Sequence, residues 1–188
     1  MSRILMAASL AALLAACTAS TDDVGAVGED DSPALVEGDF VCPDNLVFSL
    51  DDYEDETLPS ASDFSVWHAE NALRDGVMET DSGLQYRVLQ PGLENGATPR
   101  AGEEIFANYH GFFPNGDVFD SSYQAGEPIV HTADGFIAGW NEALADMKVC
   151  ETRTLYVPAN LAYGENPVGR PGGTLVFHMQ LLRVNRTD

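Results

Sequence analysis

The sequence predicts an α+β domain, in which five or six antiparallel strands carry one short helix on a face of their sheet. Three observations lead there. Between residues 83 and 184 most segments alternate apolar and polar residues with a period of two and are closed off by Gly, Pro or Asn-Gly. Asn115-Gly116 is a strong hairpin signal between two such segments. Within that region one stretch, residues 136–148, has its apolar residues at three- and four-residue spacing. Its Trp140 can be buried only against the sheet.

From the N-terminus, "MSRILMAASLAALLAAC" has a minimal basic start at Arg3 and an apolar run over 4–16. That run is too short to span a bilayer and suits the core of a signal peptide, predicted over 1–16. It ends Leu14-Ala15-Ala16-Cys17, which resembles a bacterial lipobox, so Cys17 is the expected lipidation site and first mature residue. An ordinary signal peptide, with Cys17 incidental, is the rival reading; in both the mature chain leaves the cytoplasm. Residues 17–62 read as an acidic, mostly disordered tether. Within it 40–50 is apolar enough to pack on the domain, and "DDYEDETLPSAS" is expected to be solvated.

A helix is predicted over 63–80. Ser62 or Asp63 caps it, Val66, Trp67, Ala69, Ala72 and Leu73 supply its apolar face, and Gly76 ends it. The period then becomes two. In "GLQYRVLQPG" Leu84, Tyr86 and Val88 share a face, and Pro91-Gly92 closes the strand. Further strands are expected in "EEIFANYHGFF" (103–113), "GDVFDSS" (116–122), "EPIVHT" (127–132), "TRTLYVP" (152–158) and "GTLVFHMQLLRV" (173–184). The helix over 136–148 presents Ile137, Trp140, Leu144 and Met147. "ANLAYGENPVGRPGG" between the last two strands is a loop.

A formal charge of -21 on 188 residues repels phosphates and anionic surfaces, which excludes nucleic acid as a partner. Thirteen of the acids lie between Thr18 and Ser62, a stretch with no Lys or Arg, so the folded part is nearer neutral. Without Cys17 two cysteines remain, Cys42 and Cys150. In an exported chain such a pair is expected to form a disulfide; two unrelated buried thiols are the alternative. The four histidines are scattered with no paired spacing, and no metal is expected.

"GDVFDSS", "FIAGWNEAL", "RTLYVPANLAYG" and "GTLVFHMQLL" occur in this order at a spacing that resembles the FKBP-type peptidyl-prolyl isomerases, immunophilins that bind macrolides such as rapamycin. The match covers about residues 82–184, giving a domain over 81–186, and the preceding helix with "SGLQY" is similar to the Mip-like bacterial branch. The resemblance implies a curved antiparallel sheet wrapped around one short helix, with a pocket between them. It implies Asp120, Tyr163 and Tyr109 as catalytic residues, and Phe119, Ile129, Phe136, Ile137, Trp140 and Phe177 as the substrate-binding wall. Two departures stand out. The loop over 164–174 is short and reads "RPGG" where the family commonly has Ile or Val before proline. Cys150 stands where the family usually has Gly, which fits a special role for that cysteine.

The chemistry these residues suit needs no nucleophile and no cofactor. An Xaa-Pro bond is held planar by resonance behind a barrier of about 20 kcal/mol. A twisted amide has a weaker dipole than a planar one, so a dry apolar pocket disfavours the planar form more. A hydroxyl from Tyr163 and a carboxylate from Asp120, held by Tyr109, then orient the rotating carbonyl. Taken singly, each residue has a plainer reading: Trp140 as core, Phe119 and Phe177 as strand core, Asp120 as a turn cap.

The expected function is a prolyl isomerase acting on exported proline-containing polypeptides and assisting their folding. The alternatives are a catalytically weak or inactive chaperone module of the same fold and a lipid-anchored scaffold component. A monomer is expected, because one short helix replaces the long helical region through which Mip-like relatives dimerise. Thr18 after the cysteine points to a lipid anchor in the outer rather than the inner membrane, facing the periplasm.

Overall fold

The computed structural model describes residues 40–53 and 57–186. Their strands are β1 (Phe40–Val41), β2 (Met78–Glu79), β3 (Gln85–Gln90), β4 (Glu104–Phe112), β5 (Val118–Ser121), β6 (Ile129–Thr132), β7 (Thr152–Val157) and β8 (Leu175–Asn185). The helices are α1 (Phe64–Asn71), α2 (Ser122–Ala125) and α3 (Ala138–Leu144). One antiparallel sheet runs β2-β3-β7-β8-β4-β5, with β1 paired to β8 and β6 to β4. Six of these strands are those read from the sequence; β1 and β2 are two-residue additions at its margins.

The long strands β4 and β8 form the spine. Each pairs with the other along its length and shares its far edge between two shorter strands. On β4, the Glu104 half pairs with β6 and the His110 half with β5. A register shift between Gly111 and Phe112 bends the second pairing, and bulges of this kind increase local twist. The result is a sheet whose concave face receives α3. Trp140, Ala143 and Leu144 of α3 pack with Ile105, Leu155, Leu175, Met179 and Leu181 in the main core. Helix α3 is shorter than its apolar periodicity suggested, seven residues within 136–148, because Met147 and Val149 reach the core from turns.

The other face of the sheet is covered as well. Trp67 of α1 is fully buried against Tyr156, Val176 and Phe112, with Leu58 and Val77 beside them. Every residue of β7 is therefore buried, so its polar positions Thr152, Arg153 and Thr154 lie indoors rather than facing water. Arg153 meets the cost of burial through Glu151 (2.6 Å) and Asp146 (2.8 Å), with the Tyr86 ring 4.4 Å from its guanidinium carbon.

Two sequence expectations are corrected. The first helix does not extend over 63–80. It stops at Asn71, a turn through Gly76 follows, and Met78–Glu79 is strand, paired with Gln85 and Tyr86. The helix is fixed by its cap and one anchor rather than by an apolar stripe. The Asp63 carboxylate accepts from the Ser65 and Val66 amides, Trp67 is buried, and Val66 and Leu73 are 47% and 87% exposed.

The second correction concerns the tether over 17–62. Residues 40–50 pack on the domain, as their apolar composition leads one to expect, and Tyr53, Leu58 and Ala61 of the stretch expected to be solvated pack as well. The Cys42 amide donates to Leu182 O, Gln180 bonds both the Phe48 amide and Leu46 O, and Gln90 donates to Leu46 O. Tyr53, in the segment read as solvated, stacks on His178 at 4.4 Å and shares a hydrogen bond with Tyr123. The signal peptide, the lipobox with Cys17 and the tether up to residue 39 lie outside the described residues. Among the described residues no helix is long and apolar enough to cross a membrane.

Cys42 and Cys150 are joined in a disulfide that ties this N-terminal strap to the start of β7. Cys150 has φ 71°, the sole non-glycine residue in the left-handed region among the described residues. A glycine would adopt that conformation without the clash a Cβ brings.

Candidate functional site

Between the concave face and α3 lies a cavity of about 600 Å³. Nine residues singled out in the sequence line it, and six parts of the chain deliver them. Tyr109 comes from β4, Phe119 and Asp120 from β5, and Ile129 from β6. Phe136 and Ile137 come from the turn entering α3, and Trp140 from its first turn. Tyr163 follows the turn after β7, and Phe177 stands on β8.

Two glycines set the walls. In register, Gly111 on β4 sits between Asp120 on β5 and Phe177 on β8. A Cβ there would lie 2.8 Å from the Phe119 ring and 3.0 Å from that of Phe177, so its absence lets both rings lean over β4. Gly139 lets α3 approach β7, since a Cβ would come within 2.6 Å of Val157 Cγ1. Trp140, one residue further on, forms the floor. The rings of Tyr109, Phe136 and Phe177 stand 5.1 to 5.2 Å from it, Tyr109 and Phe177 edge-on, the geometry aromatic quadrupoles favour. The indole is only 4% exposed, yet it faces the cavity rather than being sealed beneath its neighbours. Its Nε1–H finds no acceptor among the described residues.

The polar groups are few and ordered differently. Tyr109 donates its hydroxyl to Asp120 Oδ2 at 2.6 Å, and the Ser121 amide donates to Oδ1 at 2.9 Å. Each carboxylate oxygen is thus anchored, and the first contact is short, as expected for a charge-assisted bond. Burial pushes the Tyr109 hydroxyl to a higher pKa, and the bond to the Asp120 carboxylate raises it further, so the phenol stays protonated across the physiological range. The Tyr163 hydroxyl, by contrast, makes no hydrogen bond among the described residues, and its side chain is partly open to solvent. One acceptor is thus held fixed and one donor left available at the edge of an apolar floor.

Sequence reasoning missed Arg170 and Pro171, which also line the cavity. They belong to the short "RPGG" loop, and the Arg170 guanidinium carbon lies 5.1 Å from the centre of the Tyr163 ring. A cation directly before proline in that loop was the available signal. Cys42 and Cys150 lie apart from the cavity, and Cys17 is outside the described residues. Among the described residues no cluster of His, Cys, Asp or Glu is placed to hold a metal ion.

A family model for FKBP-type peptidyl-prolyl cis-trans isomerases matches residues 95–182. The chain is 43% identical over 118 residues to the FKBP-type 22 kDa peptidyl-prolyl cis-trans isomerase of Escherichia coli (strain K12), covering 61% of this chain and 56% of that protein. It is 38% identical over 119 residues to the outer membrane protein MIP of Legionella longbeachae, covering 62% of this chain and 50% of that one. The crystal structure of a peptidyl-prolyl cis-trans isomerase from Pseudomonas syringae superposes with a TM-score of 0.59 at 30% identity, covering 65% of this chain and 90% of that one. The chain spans about half the length of the curated relatives it matches.

Proposed function

The chain belongs to the FKBP-type peptidyl-prolyl cis-trans isomerase family, and from that premise we propose that it catalyses rotation about Xaa-Pro bonds of exported polypeptides, assisting their folding. The observation that carries the reading is the composition of one cavity. An aromatic floor and wall share it with an anchored carboxylate and an unbonded phenol. In this reading the proline ring rests on Trp140, with Phe119, Ile129, Phe136, Ile137 and Phe177 around it. Water leaves, and the planar amide loses the solvation its large dipole enjoyed. The twisted amide, with a weaker dipole and a more amine-like nitrogen, loses less, so the barrier falls.

Tyr163 donates to a substrate carbonyl. Asp120 faces the rotating amide as a fixed charge, and Tyr109 holds it there. Because no proton moves, activity should not follow a bell-shaped pH profile around neutrality. The test is the cis-to-trans rate of a short Xaa-Pro peptide with the purified domain. Asp120→Ala and Tyr163→Phe should each lower kcat/KM about tenfold, the effect of roughly 1.4 kcal/mol lost from the transition state. Acceleration untouched by both variants would overturn these assignments.

We further propose that the leader over 1–16 exports the chain, and that acylation of Cys17 anchors it to the outer membrane facing the periplasm. The lipobox-like "LAAC" supports this, as does the name of the Legionella relative. Membrane fractionation of Cys17→Ser tests it; an unchanged distribution would reject the anchor. Macrolides such as rapamycin are proposed ligands of the same cavity, and the chain is proposed to act as a monomer, which sedimentation checks.

A further inference from the structure

We propose that Arg170 makes this site selective for prolines flanked by an acidic residue. The inference deepens the isomerase reading and rests on it. The cavity's lining contains one cation and one carboxylate. The carboxylate, Asp120, has both oxygens engaged by Tyr109 and the Ser121 amide. The cation is not engaged in that way. Arg170 is exposed, lies over the Tyr163 ring, and has no carboxylate partner among the described residues, Glu165 of its own loop included. A guanidinium stacked on a ring keeps its edge donors free for a planar acceptor, and a carboxylate is the acceptor that matches their fork.

The loop holds Arg170 in place rather than letting it sweep through solvent. The Gly173 amide donates to Gly164 O at 3.0 Å and closes the loop at its base. Gly172 passes so close to Glu165 that a Cβ there would stand 2.5 Å from the Glu165 carbonyl oxygen. Phe64 of α1 lies against Gly173, where a Cβ would come within 2.7 Å of its ring. Pro171 restricts the backbone of Arg170 before it. The guanidinium therefore waits at the mouth, beside the hydroxyl proposed to bind the substrate carbonyl. The side chains it meets are those next to the proline in sequence.

The test compares peptides that differ in charge and little in shape, with Glu or Gln placed directly before or directly after the proline. At low ionic strength kcat/KM for the better placed Glu peptide should exceed that of its Gln partner by about threefold, the scale of an exposed ion pair. The preference should fade at about 0.5 M salt. It should vanish in Arg170→Gln and reverse in Arg170→Glu, which should favour Lys. A ratio of one at both positions in the wild type, or a ratio that survives Arg170→Glu, overturns the proposal. If no peptide is turned over, the isomerase reading fails separately, and equilibrium binding still decides the matter. Shifts of the Trp140 indole N–H on titration should then show tighter binding of the Glu peptide in the wild type and not in Arg170→Gln. Equal binding of the Glu and Gln peptides overturns it.

Discussion

Replacing Cys42 and Cys150 by alanine should cost most of the stability of the domain. The bridge closes a loop across a separation of 108 residues. In the chain-entropy treatment, freeing a loop of that length stabilises the unfolded chain by about 5 kcal/mol. Domains of this size are typically stable by about 5–15 kcal/mol, so the reduced form should lie near the margin. A second contribution has the opposite sign. Cys150 sits at φ 71°, where a side chain costs about 1–2 kcal/mol. Glycine at 150 relieves that strain but adds entropy to the unfolded chain, worth about 0.4–1 kcal/mol. Cys42→Ala/Cys150→Gly should therefore be more stable than Cys42→Ala/Cys150→Ala by up to about 1.6 kcal/mol. Urea unfolding of the oxidised wild type and both double variants measures these differences, with alkylation and mass analysis to verify the bridge. A loss below about 1 kcal/mol in the alanine pair would refute the loop-entropy reasoning, given a bridged wild type. A glycine variant weaker than the alanine variant would refute the strain reasoning.

Further outcomes follow from the same geometry. Gly139→Ala should push α3 away from Val157 and cost about 1–3 kcal/mol, read by urea midpoint; an unchanged midpoint would show that the helix has room to spare. Gly111→Ala should displace the Phe119 and Phe177 rings and lower kcat/KM on peptides more than it lowers stability, and equal activity would mean the ring positions do not matter. His68 and His110 both titrate below their ordinary value of 6.5, in each case because burial disfavours the imidazolium. The unfolded chain then binds protons that the native state does not, so stability should fall as pH drops through about 6.5 and level off below the native values. Unfolding at pH about 7.5 and about 5.5 tests this; His68→Gln should flatten the slope, and a steeper slope would contradict it.

Much of the fold was legible because its signals are local. Asn115-Gly116 announced the hairpin, alternation marked β3 and β4, and three-to-four spacing marked α3. What was not legible depends on residues distant in sequence. Nothing near Tyr53 says that it stacks on His178, and nothing near Leu46 says that Gln180, over a hundred positions away, will bond it. The stretch over 51–62 reads as solvated because its acids outnumber its few apolar groups, yet Tyr53, Leu58 and Ala61 pack all the same. Residues 72–76 read as helical because Ala72 and Leu73 continue the spacing, yet Leu73 is 87% exposed and the chain turns through Gly76 into β2. At the site the nine lining positions came from the family resemblance rather than from periodicity, since a floor tryptophan and a core tryptophan have the same spacing. Arg170 has no counterpart in the apolar overhang that the family resemblance implies for the "RPGG" loop, so its place in the lining shows only in the folded chain.

The central claim is that the cavity over Trp140 lowers the barrier to prolyl rotation. Exchange spectroscopy on an Ala-Leu-Pro-Phe peptide, with the Trp140 indole signal followed in the same samples, addresses it directly. The account predicts that cis–trans exchange quickens in proportion to added protein while the indole signal shifts with peptide. A peptide that shifts the indole signal yet exchanges no faster than it does alone would contradict it.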